Sequence, residues 1–246
     1  MNLDCRKWIL AVLLGLLAFL PNTTKAGMTP DEVKAFEASK LKADQGDAAA
    51  QFSIGVFYFN GDGVAKDAAE AVKWYRKAAD QGTALAQDNL GVCYQTGQGV
   101  AKDAAEAVKW FRKAAEQGHT GAQYNLGVSY FNGDGVAKDA AEAVKWYRKA
   151  AEQGDANAQY NLGCSYQKGE GVAKDEVEAY AYFNLAGITM EDARKVIALI
   201  EKDLSPDARL RGQQRTKDLQ REIAGKSENL RDLQKEIERE KMLKGG

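Results

Sequence analysis

Apolar and polar positions follow one pattern that returns every 36 residues. In the copy at residues 119–154, Gln123, Leu126, Gly127 and Tyr130 fall at i, i+3, i+4 and i+7, on one face of a helix ending near Asn132. Gly133-Asp134-Gly135 predicts a turn in which glycine takes positive φ without a Cβ clash. A second helix opens at Asp139, a cap residue, with Glu142 three residues on to complete a capping box. Ala143, Trp146, Tyr147 and Ala150 form its apolar stripe, and Gly154 suits the position after its end. Each copy therefore predicts a helical hairpin. The ladders Gln51/Gln87/Gln123/Gln159, Gly55/Gly91/Gly127/Gly163, Tyr58/Tyr94/Tyr130/Tyr166 and Trp74/Trp110/Trp146/Tyr182 carry it through four units. A fixed period of this length predicts an all-α stack in which neighbouring units cover one another's apolar faces.

The units occupy 47–82, 83–118, 119–154 and 155–190, together the segment 47–190. Residues 27–46 predict an N-terminal capping helix: Thr29 caps it, Pro30 suits its first position, Glu32 completes a capping box, and Asp44-Gln45-Gly46 matches Asp80-Gln81-Gly82. Residues 191–204 predict a C-terminal capping helix with Ala193, Val196, Ile197 and Ile200 on one face. Ser205-Pro206 opens a long charged helix over 205–246 whose Leu219, Ile223, Leu230, Leu233 and Ile237 form a heptad seam. Thr216, Lys226 and Glu240 interrupt that seam, and Gly212 and Gly225 weaken the helix. Three fates stay open for it: a coiled coil with a second copy through 212–243, folding back over the last repeat, or a solvated arm.

Residues 1–26 read as a signal peptide. Arg6 and Lys7 precede the apolar run Trp8 to Leu20, and Thr24-Lys25-Ala26 places small residues for cleavage after Ala26, giving a secreted or periplasmic chain. The run is short for a membrane span, and a retained anchor is the alternative. Lys plus Arg number 34 against 35 Asp plus Glu, and removal of residues 1–26 leaves a net charge of −3. That balance gives no footprint for nucleic acid. After cleavage no membrane partner is expected. Cys93 and Cys164 occupy different register positions two units apart, well beyond the ~7 Å that a disulfide tolerates, and read as core fillers. With one histidine, His119, and no Cys-x-x-Cys, no metal or cofactor is expected.

The run from Ala122 through Leu126, Gly127, Tyr130, Gly133, Gly135, Val136, Asp139, Ala143, Trp146, Ala150 and Ala151 to Gly154 resembles the Sel-1-like repeat (SLR), a relative of the tetratricopeptide repeat. The resemblance implies a right-handed α-solenoid with a concave binding surface, used as an adaptor between proteins, and many bacterial members are exported. Some of those carry a cysteine pair in each repeat. This chain does not.

Candidate chemistry is weaker than the repeat. The Gly-x-Gly turns follow helices, lack Gly-Lys-Ser/Thr, and read as turns, not phosphate loops. Ser165-Tyr166-Gln167-Lys168 matches Ser-x-x-Lys without the Ser-Asp-Asn and Lys-Thr-Gly elements of a penicillin-recognising enzyme. The Asp/Glu pairs recur beside helix starts as caps do, whereas an acid/base pair would be unique. The tryptophans read first as core and second as stacking platforms. A selective contact should use positions that vary between copies. Phe52, Tyr124 and Tyr160, a row broken by Asp88, together with Asn89, Asn125 and Asn161, predict a partner-binding strip whose amides hold an extended backbone. First helices usually line the concave face of such solenoids. The leading expectation is a nonenzymatic, exported scaffold binding a protein or peptide there. The alternatives are a structural oligomer built through the C-terminal helix and, by family analogy alone, a cell-wall or β-lactam hydrolase.

Overall fold

The computed structural model describes residues 28–244, so the expected signal peptide lies outside the described residues. Over these residues the chain forms eleven helices: α1 (Pro30–Asp44), α2 (Ala48–Asn60), α3 (Ala68–Asp80), α4 (Ala84–Thr96), α5 (Ala104–Glu116), α6 (Thr120–Asn132), α7 (Ala140–Ala151), α8 (Ala156–Lys168), α9 (Glu176–Gly187), α10 (Glu191–Ile200) and α11 (Pro206–Lys244). Helices α2/α3, α4/α5, α6/α7 and α8/α9 are the four hairpins. Each packs on the next, which makes an α-solenoid.

Side-chain caps set the helix starts. Asp67, Asp103, Asp139 and Asp175 accept the N–H of Glu70, Glu106, Glu142 and Glu178 at 3.0, 3.0, 2.9 and 3.0 Å. The capping box expected there is only half formed. Each aspartate's own N–H donates instead to the carbonyl of Tyr58, Tyr94, Tyr130 or Tyr166, tying the turn to the first helix. The released glutamates pair with Lys73, Lys109, Lys145 and, for Glu178, Arg215. Thr29 and Glu32 make the complete box. Gly135 takes φ +72° and lies against the Ala104 carbonyl of the preceding second helix with no room for a Cβ, so each turn seats on the unit before it.

Between units the core is aromatic and alanine-rich. Trp110 is buried against Ala86 and Leu90 of its own first helix and Tyr75 and Ala78 of the preceding second helix, with Lys113 Nζ 4.0 Å from its ring centroid. The tryptophans are therefore wedges between helices, which removes their reading as ligand platforms. Gly127 lies directly against the Tyr147 ring, where a Cβ would collide. Arg112 and Arg148 donate to the hydroxyls of Tyr130 and Tyr166 in the following unit at 2.7 and 2.9 Å, and Arg76 does the same to Tyr94.

The C-terminal helix takes one of its three expected fates over its first half: it folds back. Gly212 approaches the Tyr180 ring too closely for any side chain, Arg215 Nε donates to Glu178 Oε1 at 2.8 Å, and Leu219 is buried with Tyr182 and Ala151. Ile223 packs on the same cluster, and Lys226 Nζ meets Glu152 Oε2 at 2.7 Å. Gly212 is thus a point of close contact and not only a weak spot in the helix. Among the described residues no helix is long and apolar enough to cross a membrane.

Candidate functional site

The expected strip lies on the first helices, and all seven of its residues are half-buried. Its rings pack on the second helix of their own unit: Phe52 on Tyr75 at 5.9 Å between centroids, Tyr124 on Tyr147 at 6.1 Å, Tyr160 edge-on to Phe183 at 5.5 Å. Its amides reach between units. Asn89 faces the Tyr75 hydroxyl of the preceding unit and Asn161 faces those of Tyr147 and Tyr124, each amide favouring the ionised phenol against the effect of burial. Burial pushes all three tyrosines above the usual phenol value, so at neutral pH each keeps its proton.

Asn125 is the exception, and it explains Asp88. The residue matching Tyr75 and Tyr147 in the second unit is Phe111, which has no hydroxyl. Asn125 Nδ2 donates instead to Asp88 Oδ1 at 3.0 Å. His119, the N-cap of α6, stands 3.6 Å from the other oxygen of Asp88, and Gly121 leaves room for it. Burial raises the Asp88 carboxyl above its ordinary value, while the Asn125 bond and His119 pull it down. The Asn125 amide spends one N–H internally, which leaves its carbonyl and second N–H for another partner.

One strip residue, Asn161, opens onto a cavity. A cleft of about 170 Å³ between the third and fourth units is lined by Phe131, Tyr147, Asn161, Cys164, Ser165 and Lys168, with Glu170 also on its wall. Phe131, Cys164 and Lys168 were absent from the expected strip. Comparison of copies marks two of them: Cys164 replaces the valine of the other units, and Lys168 replaces Asn60, Thr96 and Asn132. The other strip residues line the same face without joining this cleft. Burial pushes the Cys164 thiol up, with Lys168 and the neighbouring Tyr160 opposing it, so it is a poor nucleophile at neutral pH. Ser165 is buried and the cleft holds no histidine. Apolar walls with a few converging polar groups suit binding.

The family model of the Sel1 repeat matches residues 48–83, 84–119, 120–155 and 156–187. The chain belongs to the Sel1 repeat family. Members of this family generally serve as protein–protein interaction scaffolds and are typically nonenzymatic. Among solved structures, a protective antigen of uropathogenic Escherichia coli strains with an SLR fold is 33% identical at TM-score 0.68, over 79% of this chain and 41% of that one. This chain thus spans less than half of that antigen's length. A Sel1 repeat protein from Oxalobacter formigenes is 37% identical at TM-score 0.67, over 76% of this chain and 77% of that one. No curated protein matches the chain.

Proposed function

We infer that the chain is an exported Sel1 repeat scaffold that holds a partner polypeptide on the face of its first helices, with the cleft at Asn161 as the anchor point. The observation that carries this reading is the coincidence of a strip residue, Asn161, with a mostly apolar cleft whose distinguishing residues, Cys164 and Lys168, differ from their counterparts in the other units. Supporting it, α11 packs along α9, a second helix, so the first-helix strip keeps its half-exposed rings and amides. An apolar partner side chain fits against Phe131 and Tyr147, and the Asn161 carboxamide matches an extended backbone. Export rests on the leader pattern of residues 1–26.

The test is capture from the exported fraction with the chain as bait, identified by mass spectrometry, beside Asn125→Ala/Asn161→Ala. The double variant is expected to lose the captured partner while keeping its helicity. Undiminished capture would remove the strip from the site. Truncation after Lys226 spares every seated contact of α11 and is expected to leave capture intact; loss of the partner there would move binding to the helix tip.

A further inference from the structure

Each of the first three repeats ends its second helix on a glutamine whose carboxamide is spent inside the array. Gln81 Nε2 donates to Gln51 Oε1 at 2.7 Å and to the Gly46 carbonyl at 3.1 Å. Gln153 does the same with Gln123 at 2.7 Å and Gly118 at 3.1 Å, and Gln117 reaches Gln87 at 2.7 Å. The receiving glutamines are only 4–6% exposed, and each passes its own amide to a carbonyl of the preceding second helix: Ala43, Ala79 or Ala115.

The fourth unit keeps the receiver and loses the donor. Gln159 is 4% exposed and donates to the Ala151 carbonyl at 3.2 Å, as its counterparts do. The residue in register with Gln81, Gln117 and Gln153 is Thr189, whose side chain carries no amide. A cleft of about 340 Å³ opens there, lined by Gln159, Gly154, Thr189, Leu185, Ile188 and Ile223. Gly154 is the counterpart of Gly46 and Gly118. The two acceptors that share one carboxamide in the first and third units thus border a single apolar cleft to which the matching residue brings none.

We propose that this cleft binds the side chain of a glutamine from a partner polypeptide, its amide bridging Gln159 Oε1 and the Gly154 carbonyl and its methylenes resting on Leu185 and Ile223. Two carbonyl acceptors select an N–H₂ group and repel a carboxylate. The apolar wall penalises a bare ammonium, which would give up its water for two bonds. In the first and third units Gln51 Oε1 and Gln123 Oε1 accept such a carboxamide, and the partner's glutamine takes that place at Gln159. The internal units supply the template for the geometry. This site lies at the end of the second-helix side and is independent of the Asn161 cleft.

The full chain, labelled with ¹⁵N, is titrated with butyramide, with butyrate, and with acetyl-Ala-Ala-Asp-Gln-Gly-amide, which copies residues 78–82. Saturable shifts are expected at the Gln159 side-chain amide and at Gly154, Ile188 and Thr189, millimolar for butyramide, tighter for the peptide and absent for butyrate. Thr189→Gln supplies the amide from within, so it should weaken the peptide roughly tenfold or more and raise the thermal midpoint. Equal shifts with butyrate, undiminished binding by Thr189→Gln, or no saturable shift at these residues would overturn the proposal. Gln220 also lines the cleft from α11. Butyramide binding that appears only in Gln220→Ala would overturn it too, because the chain would then be filling its own site.

Discussion

The third and fourth repeats share a backbone plan and differ in what their second helices face. In α7 an apolar stripe is set against outward Lys145, Arg148 and Lys149, as expected of a helix with one wet side. In α9 the matching positions are Ala181, Asn184 and Leu185, and Glu152 gives way to Ile188. Tyr180, Ala181, Tyr182, Phe183 and Leu185 are all buried, because α10 and α11 cover the face that solvent meets in α7. An internal unit is closed by its neighbours on both sides, whereas the last unit must recruit a cover from the rest of the chain. Here the cover is a helix that the heptad seam alone would have offered equally to a second copy.

The contrast can be broken most strongly at Leu219, a buried leucine of that cover. Leu219→Ala should cost about 2–5 kcal/mol, seen as a lowered thermal midpoint with early exchange of the α9 amides. An unchanged midpoint would mean that α11 does not hold the fourth repeat. The next effect is expected at Gly212, where a side chain has no room against Tyr180: Gly212→Leu should cost roughly 1–3 kcal/mol by overpacking. Gly225 has open space around it, and Gly225→Ala should instead gain about 0.5–1 kcal/mol. Matching effects at the two glycines would contradict the seated helix.

The smallest effect sharpens the comparison inside the array. Asp88 is held above the ordinary carboxylate value chiefly by burial. A raised carboxyl favours its protonated form in the folded state, so its contribution to stability is full below the ordinary value and lost as pH rises through the raised one. Asp88→Asn keeps an acceptor for Asn125 and carries no charge. It should therefore show a slightly higher midpoint than the parent at neutral pH, and the two curves should converge in acid. A constant offset at every pH would remove the charge from the explanation.

Most of the hairpin architecture was legible in the sequence because it rests on local rules applied several times over. Asp139 capping α7, Gly135 at positive φ and the stripe from Ala143 to Ala150 each follow from a few neighbouring residues. What escaped depended on residues far apart in the chain. The box at Asp139 and Glu142 failed by half because the Asp139 N–H had a better acceptor in Tyr130. Asp88 looked like an interruption until Phe111, a residue on another helix, showed that Asn125 needed a new acceptor. The seating of α11 was announced by Ala181, Leu185 and Ile188 standing where lysines and a glutamate belong, a signal visible only when the last copy is aligned with the one before. The cleft at Asn161 depends on side-chain volumes meeting across two units, which periodicity does not report.

The facing of Asn89 and the Tyr75 hydroxyl, one unit apart, carries a further consequence. Because the junctions recur every 36 residues, length is quantised: excising residues 83–118 would bring Asn125 to the hydroxyl that Asn89 now faces, while deleting a number that is not a multiple of 36 would throw every downstream joint out of step. Asp88 and Phe111 would leave together, and the shortened rod would carry no scar of either.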